Sequence, residues 1–209
     1  NGIPLDGYSS AEPPPHPPVI GYLARFIEGK GLGLVVDAFI ELRKRGRFPN
    51  ARLCCIGAMT ADDERYVAKL RKKLVAAGCA ELAEFHPNVS REEKIRLLET
   101  LSFLSVPTRY GEAFGLFLLE ALAAGVPVVQ PRTAAFPEIV EATGGGILFD
   151  EMTPVSCADA WESLLADPEK ARGFGRSGRE KVAADYSIQR LAERYLDLTR
   201  QTSRQLQPL

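Results

Sequence analysis

Apolar residues fall along this chain in two alternating rhythms. Short runs at 19–24, 52–57, 82–86, 102–106, 126–130 and 147–149 have the length and uniformity of buried strands. Between them, apolar positions recur at helical spacing. Leu32, Val35, Val36, Phe39 and Leu42 share one helix face, and Lys44, Arg45 and Arg47 charge its end in the sense the helix dipole favours. Thr60 and Asp63 form a capping-box start to a helix reaching about 78, with Val67, Leu70 and Leu74 inward. Ser90 and Glu93 make a second box before Ile95, Leu97, Leu98 and Leu101. Residues 116–124 read as a strongly apolar helix stopped by Gly125. A short helix starts at Pro137, and the tail reads as helices at 154–166, 168–184 and 188–203. Residues 1–18, rich in Pro and Ser, read as a linker.

Strands alternating with helices predict a mostly parallel sheet covered on both faces, and the uninterrupted apolar strands fit that burial. The expected fold class is therefore α/β, a doubly wound Rossmann-like domain over 19–185. Ligands in such sheets bind at the carboxyl ends of the strands. That rule points to 25–30, 57–60, 86–90, 107–115 and 131–137.

Composition narrows the function. The 209 residues carry 26 Lys plus Arg against 27 Asp plus Glu, a net charge of −1. That balance argues against a general nucleic-acid binder, which needs a concentrated basic face. No apolar run approaches the ~18 residues of a membrane span. Cys54, Cys55, Cys79 and Cys157 lack metal-ligand spacing and read as buried, reduced thiols, which fits a reducing, cytoplasmic compartment. The two histidines, His16 in a proline-rich stretch and His86 at a strand end, offer little from which to build a Ser-His-Asp triad or a multi-His metal centre.

The densest chemical signal is the run from Pro107 to Glu120. A strand ends at Pro107, and a loop with Gly111 and Gly115 feeds a helix. The first amides of that helix lack intrahelical partners and favour an anion. Phosphate binding at the backbone of Phe114, Gly115 and Leu116 follows. Glu112 lies in the loop, where the helix N-terminus favours its ionised form and makes it a poor general acid. Glu120 sits in an apolar stretch and needs a partner, either a sugar diol or a neighbouring cation. Arg25 and Lys30, at the end of the first strand, are either diphosphate ligands or ordinary surface charges. The basic run at 69–73 lies mid-helix and reads as a solvated face.

At these residues the sequence resembles the retaining glycosyltransferases of the GT-B architecture, family 4 (group 1). The resemblance rests on Asn1-Gly2-Ile3 as an interdomain hinge, on 21–25 with Lys30-Gly31, and on Glu112 and Glu120 eight positions apart. The runs 120–129 and 137–140 complete it. It implies the C-terminal, donor-binding half of such an enzyme, with the chain start at Asn1 a cut at the hinge and 186–209 a helix crossing to an N-terminal half. The donor would be a UDP-, GDP- or ADP-sugar, with no further cofactor. Arg25, Lys30 and the backbone of Phe114, Gly115 and Leu116 would hold its diphosphate, so no metal need be invoked. Glu120 would hold the ribose hydroxyls, and Glu112, as the catalytic residue, would face the donor sugar. Val89 and Lys94 would flank the base, and Gly57 would border the nucleotide. Ala113 and the pair Ala134-Ala135 stand where glycine is common in the family, which leaves the donor sugar open.

The expected partners are a nucleotide sugar and the N-terminal half, with any membrane contact made through that half. This half alone is expected to be inactive, because sugar transfer needs an acceptor held in a closed cleft. The alternatives are a non-catalytic nucleotide-binding module of the same fold, a nucleotide-sugar epimerase, or a hydrolase using Glu112 and Glu120 as acid and base.

Overall fold

The computed structural model describes residues 1–9 and 17–205, with side chains to residue 200. The solvated placement expected for His16 lies outside the described residues.

The two rhythms become six strands and eight α-helices among the described residues. In chain order the strands are β1 (Val19–Leu23), β2 (Arg52–Gly57), β3 (Ala83–Pro87), β4 (Phe103–Leu104), β5 (Val128–Pro131) and β6 (Gly146–Phe149). They pair in the order β3-β2-β1-β4-β5-β6, every pair parallel. The chain winds outward from β1 in one direction and from β4 in the other. The order reverses between those two strands, and their carboxyl ends open the crevice where ligands of doubly wound sheets lie.

Crossovers between β1 and β4 are α1 (Leu32–Arg45), α2 (Ala61–Ala76) and α3 (Arg91–Glu99). Those on the other side are α4 (Leu116–Ala123) and α5 (Phe136–Thr143), followed by α6 (Pro154–Leu165), α7 (Pro168–Asp185) and α8 (Ile188–Gln205). Helix α1 packs on α2 and α6, while α7 packs on α4 and α5. The expected inward faces hold: Leu32, Val35, Val36, Phe39 and Leu42 of α1 are buried, as are Val67, Leu70 and Leu74 of α2. All four thiols are buried and unpaired. Among the described residues no helix is long and apolar enough to cross a membrane.

Two expectations gain detail, the strand at 102–106 and the amino-terminal segment. The run 102–106 contributes a strand of only two residues, yet backbone bonds continue around it: Ser102 N–H to Val19 O, and Ser105 N–H to Gly21 O. The basic run of α2 is exposed as expected, and it makes two surface contacts. Lys73 Nζ lies 2.8 Å from Asp37, and the Arg71 guanidinium sits 4.6 Å from the centre of the Phe85 ring.

Residues 1–9 dock instead of dangling. Ile3 is buried, its N–H donates to Tyr186 O at 2.9 Å, and its carbonyl accepts Ile188 N–H at 3.0 Å. Tyr8 packs against the core beneath the Arg91 guanidinium, and Ser9 donates to Glu99. The chain start is thus fastened to the α7–α8 junction and to α3. Along α8, Ile188, Leu191, Tyr195 and Leu198 are 41–67% exposed.

Candidate functional site

The site is assembled where the loops after β1, β2, β3 and β4 meet. The β1 loop is shaped from below by Tyr22, whose buried hydroxyl lies 3.0 Å from Arg25 O and 3.3 Å from Lys30 O. Burial pushes that phenol well above its ordinary pKa, so it stays a neutral donor. The β2 loop runs alongside: Ala24 N–H donates to Ile56 O and Phe26 N–H to Ala58 O. The two backbones touch at Gly57, where an added Cβ would lie 1.8 Å from Ala24 O. No residue but glycine allows that approach.

The β3 loop is locked by Asn88, a residue the sequence reading passed over. It adopts a left-handed backbone with φ of 55°. Its side chain bonds both ways to Met59, accepting from the amide at 3.0 Å and donating to the carbonyl at 2.8 Å. An Asn following a strand-ending proline was the available signal, since Asn tolerates this conformation and bonds backbone with its side chain.

Together these loops enclose an open cleft of about 370 Å³, lined by Arg25, Gly57, Asn88, Val89, Lys94 and Glu120, among others. That volume lies at the small end of the range for small-molecule sites. Five of the ten residues singled out from sequence, Arg25, Gly57, Val89, Lys94 and Glu120, therefore share one cleft. The other five, Lys30, Glu112, Phe114, Gly115 and Leu116, are not among its lining residues and belong to the end of the β1 loop and to the segment leading from β4 into α4.

On that side Gly115 caps α4 with φ 85° and ψ 61°. An added Cβ would meet Leu118 and Phe136 at 3.3 Å each. Glycine brings no capping side chain; the Leu118 amide turns back to Gly115 O at 2.9 Å, which leaves the amides at the very start of α4 for a ligand. Beside it, Lys30 Nζ lies 2.6 Å from Glu112 Oε2. Phe114 packs its ring against Tyr186, with centroids 6.3 Å apart.

Each cation of the site already faces a carboxylate. Lys94 Nζ lies 2.6 Å from Glu120 Oε1, a contact across 26 positions. Of the two partners weighed for Glu120, the neighbouring cation is present. Lys94, expected beside a base, is in this structure the ligand of Glu120. Arg25 lies 3.3 Å from Asp63, which the sequence reading used only as a helix cap. The bond from the Thr60 amide, then the Thr60 hydroxyl, then Arg25 hold the Asp63 carboxyl below its ordinary range.

The family model described as glycosyl transferases group 1 matches residues 9–181. The chain belongs to that family.

Its relatives in the family include a GDP-mannose-dependent alpha-(1-6)-phosphatidylinositol monomannoside mannosyltransferase of Mycobacterium tuberculosis. The two are 30% identical over 189 residues, covering 88% of this chain and 47% of the relative. A D-inositol 3-phosphate glycosyltransferase of Corynebacterium diphtheriae is 30% identical over 173 residues, 81% of this chain and 39% of that one. The chain thus spans about half or less of the length of these curated relatives.

Among solved structures, a sucrose-phosphate synthase from Thermosynechococcus elongatus matches with a TM-score of 0.82 at 24% identity. That match covers 96% of this chain and 51% of the synthase. The C-terminal domain of a group 1 glycosyl transferase, LpcC, from Francisella tularensis matches with a TM-score of 0.78 at 24% identity, over 90% of this chain and all of that one. The Anabaena protein HepE, solved with UDP and glucose, matches at 0.81 and 17% identity, over 95% of this chain and 55% of HepE. At these identities the likeness speaks to the fold, which is the Rossmann-like half of a GT-B glycosyltransferase.

Proposed function

We propose that this chain is the donor-binding half of a retaining glycosyltransferase and that the β1–β4 crevice takes a nucleoside-diphosphate sugar. The observation that carries this reading is a cleft of about 370 Å³ lined by Arg25, Gly57, Val89, Lys94 and Glu120 at the carboxyl ends of the strands, while Lys30 meets Glu112 beside Gly115 at the start of α4. The diphosphate lies against Arg25, Lys30 and the backbone of Phe114, Gly115 and Leu116. Glu120 takes the ribose hydroxyls, while Val89 and Gly57 border the nucleoside. Lys94 lies beside the base by way of its contact with Glu120.

The roles follow from the charges. When the sugar–phosphate bond breaks, negative charge grows on the leaving diphosphate. Backbone N–H donors at the start of α4 and the outer edge of Arg25 stabilise that charge, and Lys30 joins them by exchanging partners. Lys30 turns from Glu112 to the phosphate, and the released Glu112 carboxylate faces the sugar, where positive charge develops.

Relatives named for GDP-mannose and inositol phosphate, and a neighbour solved with UDP, support a nucleotide-sugar ligand while leaving base and acceptor open. The exposed apolar positions of α8 support its role as the helix that meets the other half. Four unpaired thiols support a cytoplasmic setting.

Titration calorimetry of the folded chain with UDP, GDP and ADP is the test. Weak binding of at least one is expected. Arg25→Ala and Glu120→Ala each reduce it, while Lys72→Ala, on the exposed face of α2, does not. No heat with any of the three nucleotides, or equal losses from all three variants, rejects the site.

A further inference from the structure

Asp63 is the only acidic side chain buried among the described residues. Its two oxygens do separate work. Oδ2 accepts both the Thr60 amide and the Thr60 hydroxyl at 2.8 Å, which completes the capping box of α2. Oδ1 takes no part in that cap and faces Arg25 Nη2 at 3.4 Å. Arg25 Nε and Nη2 also reach Oδ2, at 3.4 and 3.3 Å.

The guanidinium is therefore held along one edge. Nη1 makes no hydrogen bond among the described residues, and the Arg25 side chain is half exposed where it lines the cleft. A helix cap alone does not require an acid whose second oxygen points at a cation 38 positions away. An arginine that must meet an anion with its outer edge does gain from a fixed carboxylate on its inner edge. Holding the fork in one orientation removes rotamer freedom before the ligand arrives.

We infer that Asp63 is a positioning residue for the nucleotide's diphosphate: it acts through Arg25, holding the guanidinium edge-on so that Nη1 faces the cleft. The inference rests on the donor-binding reading above. It goes beyond it by giving a helix-capping residue outside the cleft a share in ligand affinity.

Two substitutions separate the two oxygens' tasks. Asp63→Asn keeps an oxygen for the Thr60 cap and turns a donor amide toward Arg25. Thr60→Ala weakens the cap and leaves the carboxylate for Arg25. Calorimetry with UDP, GDP and ADP, and with the matching nucleosides, is run on both variants, alone and combined with Arg25→Ala, alongside thermal melts.

Asp63→Asn is expected to weaken diphosphate binding by roughly threefold or more, the low end of coupling between touching residues. It leaves nucleoside binding unchanged and has no further effect once Arg25 is Ala. Thr60→Ala is expected to lower the melting temperature and leave affinity unchanged. An equal loss from Asp63→Asn in the Arg25→Ala background overturns the proposal, because the effect then runs through α2. So does a gain in affinity, which makes Asp63 a competitor for Arg25. If Arg25→Ala weakens binding and Asp63→Asn does not, the proposal falls while the donor-binding reading stands. Absence of binding by the unaltered chain rejects both.

Discussion

Gly57→Ala tests how closely the site's two main loops are built. Its added Cβ would stand 1.8 Å from the Ala24 carbonyl oxygen and 3.2 Å from Phe26 Cε1. The obstacle is backbone, so no side-chain rotation relieves it. Reaching even a 3.0 Å contact needs the two backbones to separate by about 1.2 Å. Two hydrogen bonds flank the contact, Ala24 N–H to Ile56 O at 3.2 Å and Phe26 N–H to Ala58 O at 2.9 Å. Each contributes about 1 kcal/mol. Forcing volume into a packed region costs ~1–3 kcal/mol more. A loss of about 3 kcal/mol corresponds to a fall of roughly 6–12 °C in melting temperature for a domain of this size. The single tryptophan, Trp161, is fully buried and gives a fluorescence signal for unfolding. Arg25 stands between the two bonds, so nucleotide affinity should fall in the fraction that remains folded. A variant that melts within about 2 °C of the parent, well short of what overpacking costs, would refute the close approach of these loops.

Two glycines of α7 should respond with opposite signs. At Gly173 an added Cβ meets nothing within 4 Å, so Gly173→Ala should stabilise by about 0.5–1 kcal/mol through helix propensity; at Gly175 it would lie 2.1 Å from Gly125 O, so Gly175→Ala should destabilise. Urea denaturation of the pair checks both. The four thiols should resist a thiol reagent in the folded chain and react on unfolding, because burial raises the pKa of each and pushes Cys54 up to about 12. Fast labelling of Cys54 or Cys55 in native buffer would contradict this. Asp63 has a folded pKa below its unfolded value of about 3.9. Its contribution to stability is therefore complete above that value and lost as pH falls through the lower folded one. Asp63→Asn should flatten the acid limb of a stability–pH curve, and an unchanged limb would count against an ionised cap.

Much of this was legible because it is local. The strand–helix alternation is written in the spacing of apolar residues, and the capping box at Thr60 needs only three positions of context. The docking of the amino-terminal segment was not legible, because the prolines at 13–18 dominate its composition. They hide Ile3 and Tyr8, which dock on partners more than eighty positions away. The fourth strand was legible as an apolar run but not as a two-residue ladder, since its length depends on what β1 and β5 offer on either side. The charge pairs were the least legible. Periodicity places Lys94 on α3 and Glu120 on α4, and only the crossing of those helices decides that they meet.

That pairing bears on how the cleft would choose a ligand. Lys30, Lys94 and Arg25 face Glu112, Glu120 and Asp63 at 2.6, 2.6 and 3.3 Å. An anion entering the cleft meets cations that are already neutralised, and it gains only where it offers them more than a carboxylate does. At Lys30 a phosphate would also have the start of α4 nearby, because Glu112, which Lys30 meets, lies beside Gly115. At Arg25 the outer edge is open, and no exchange is needed. At Lys94 a phosphate would have to break the 2.6 Å pair with Glu120. On the proposed donor-binding reading, these pairs would favour a diphosphate at the β1–α4 end and uncharged hydroxyls at Glu120. Ligand orientation in this cleft follows from which ion pairs can be traded and which cannot.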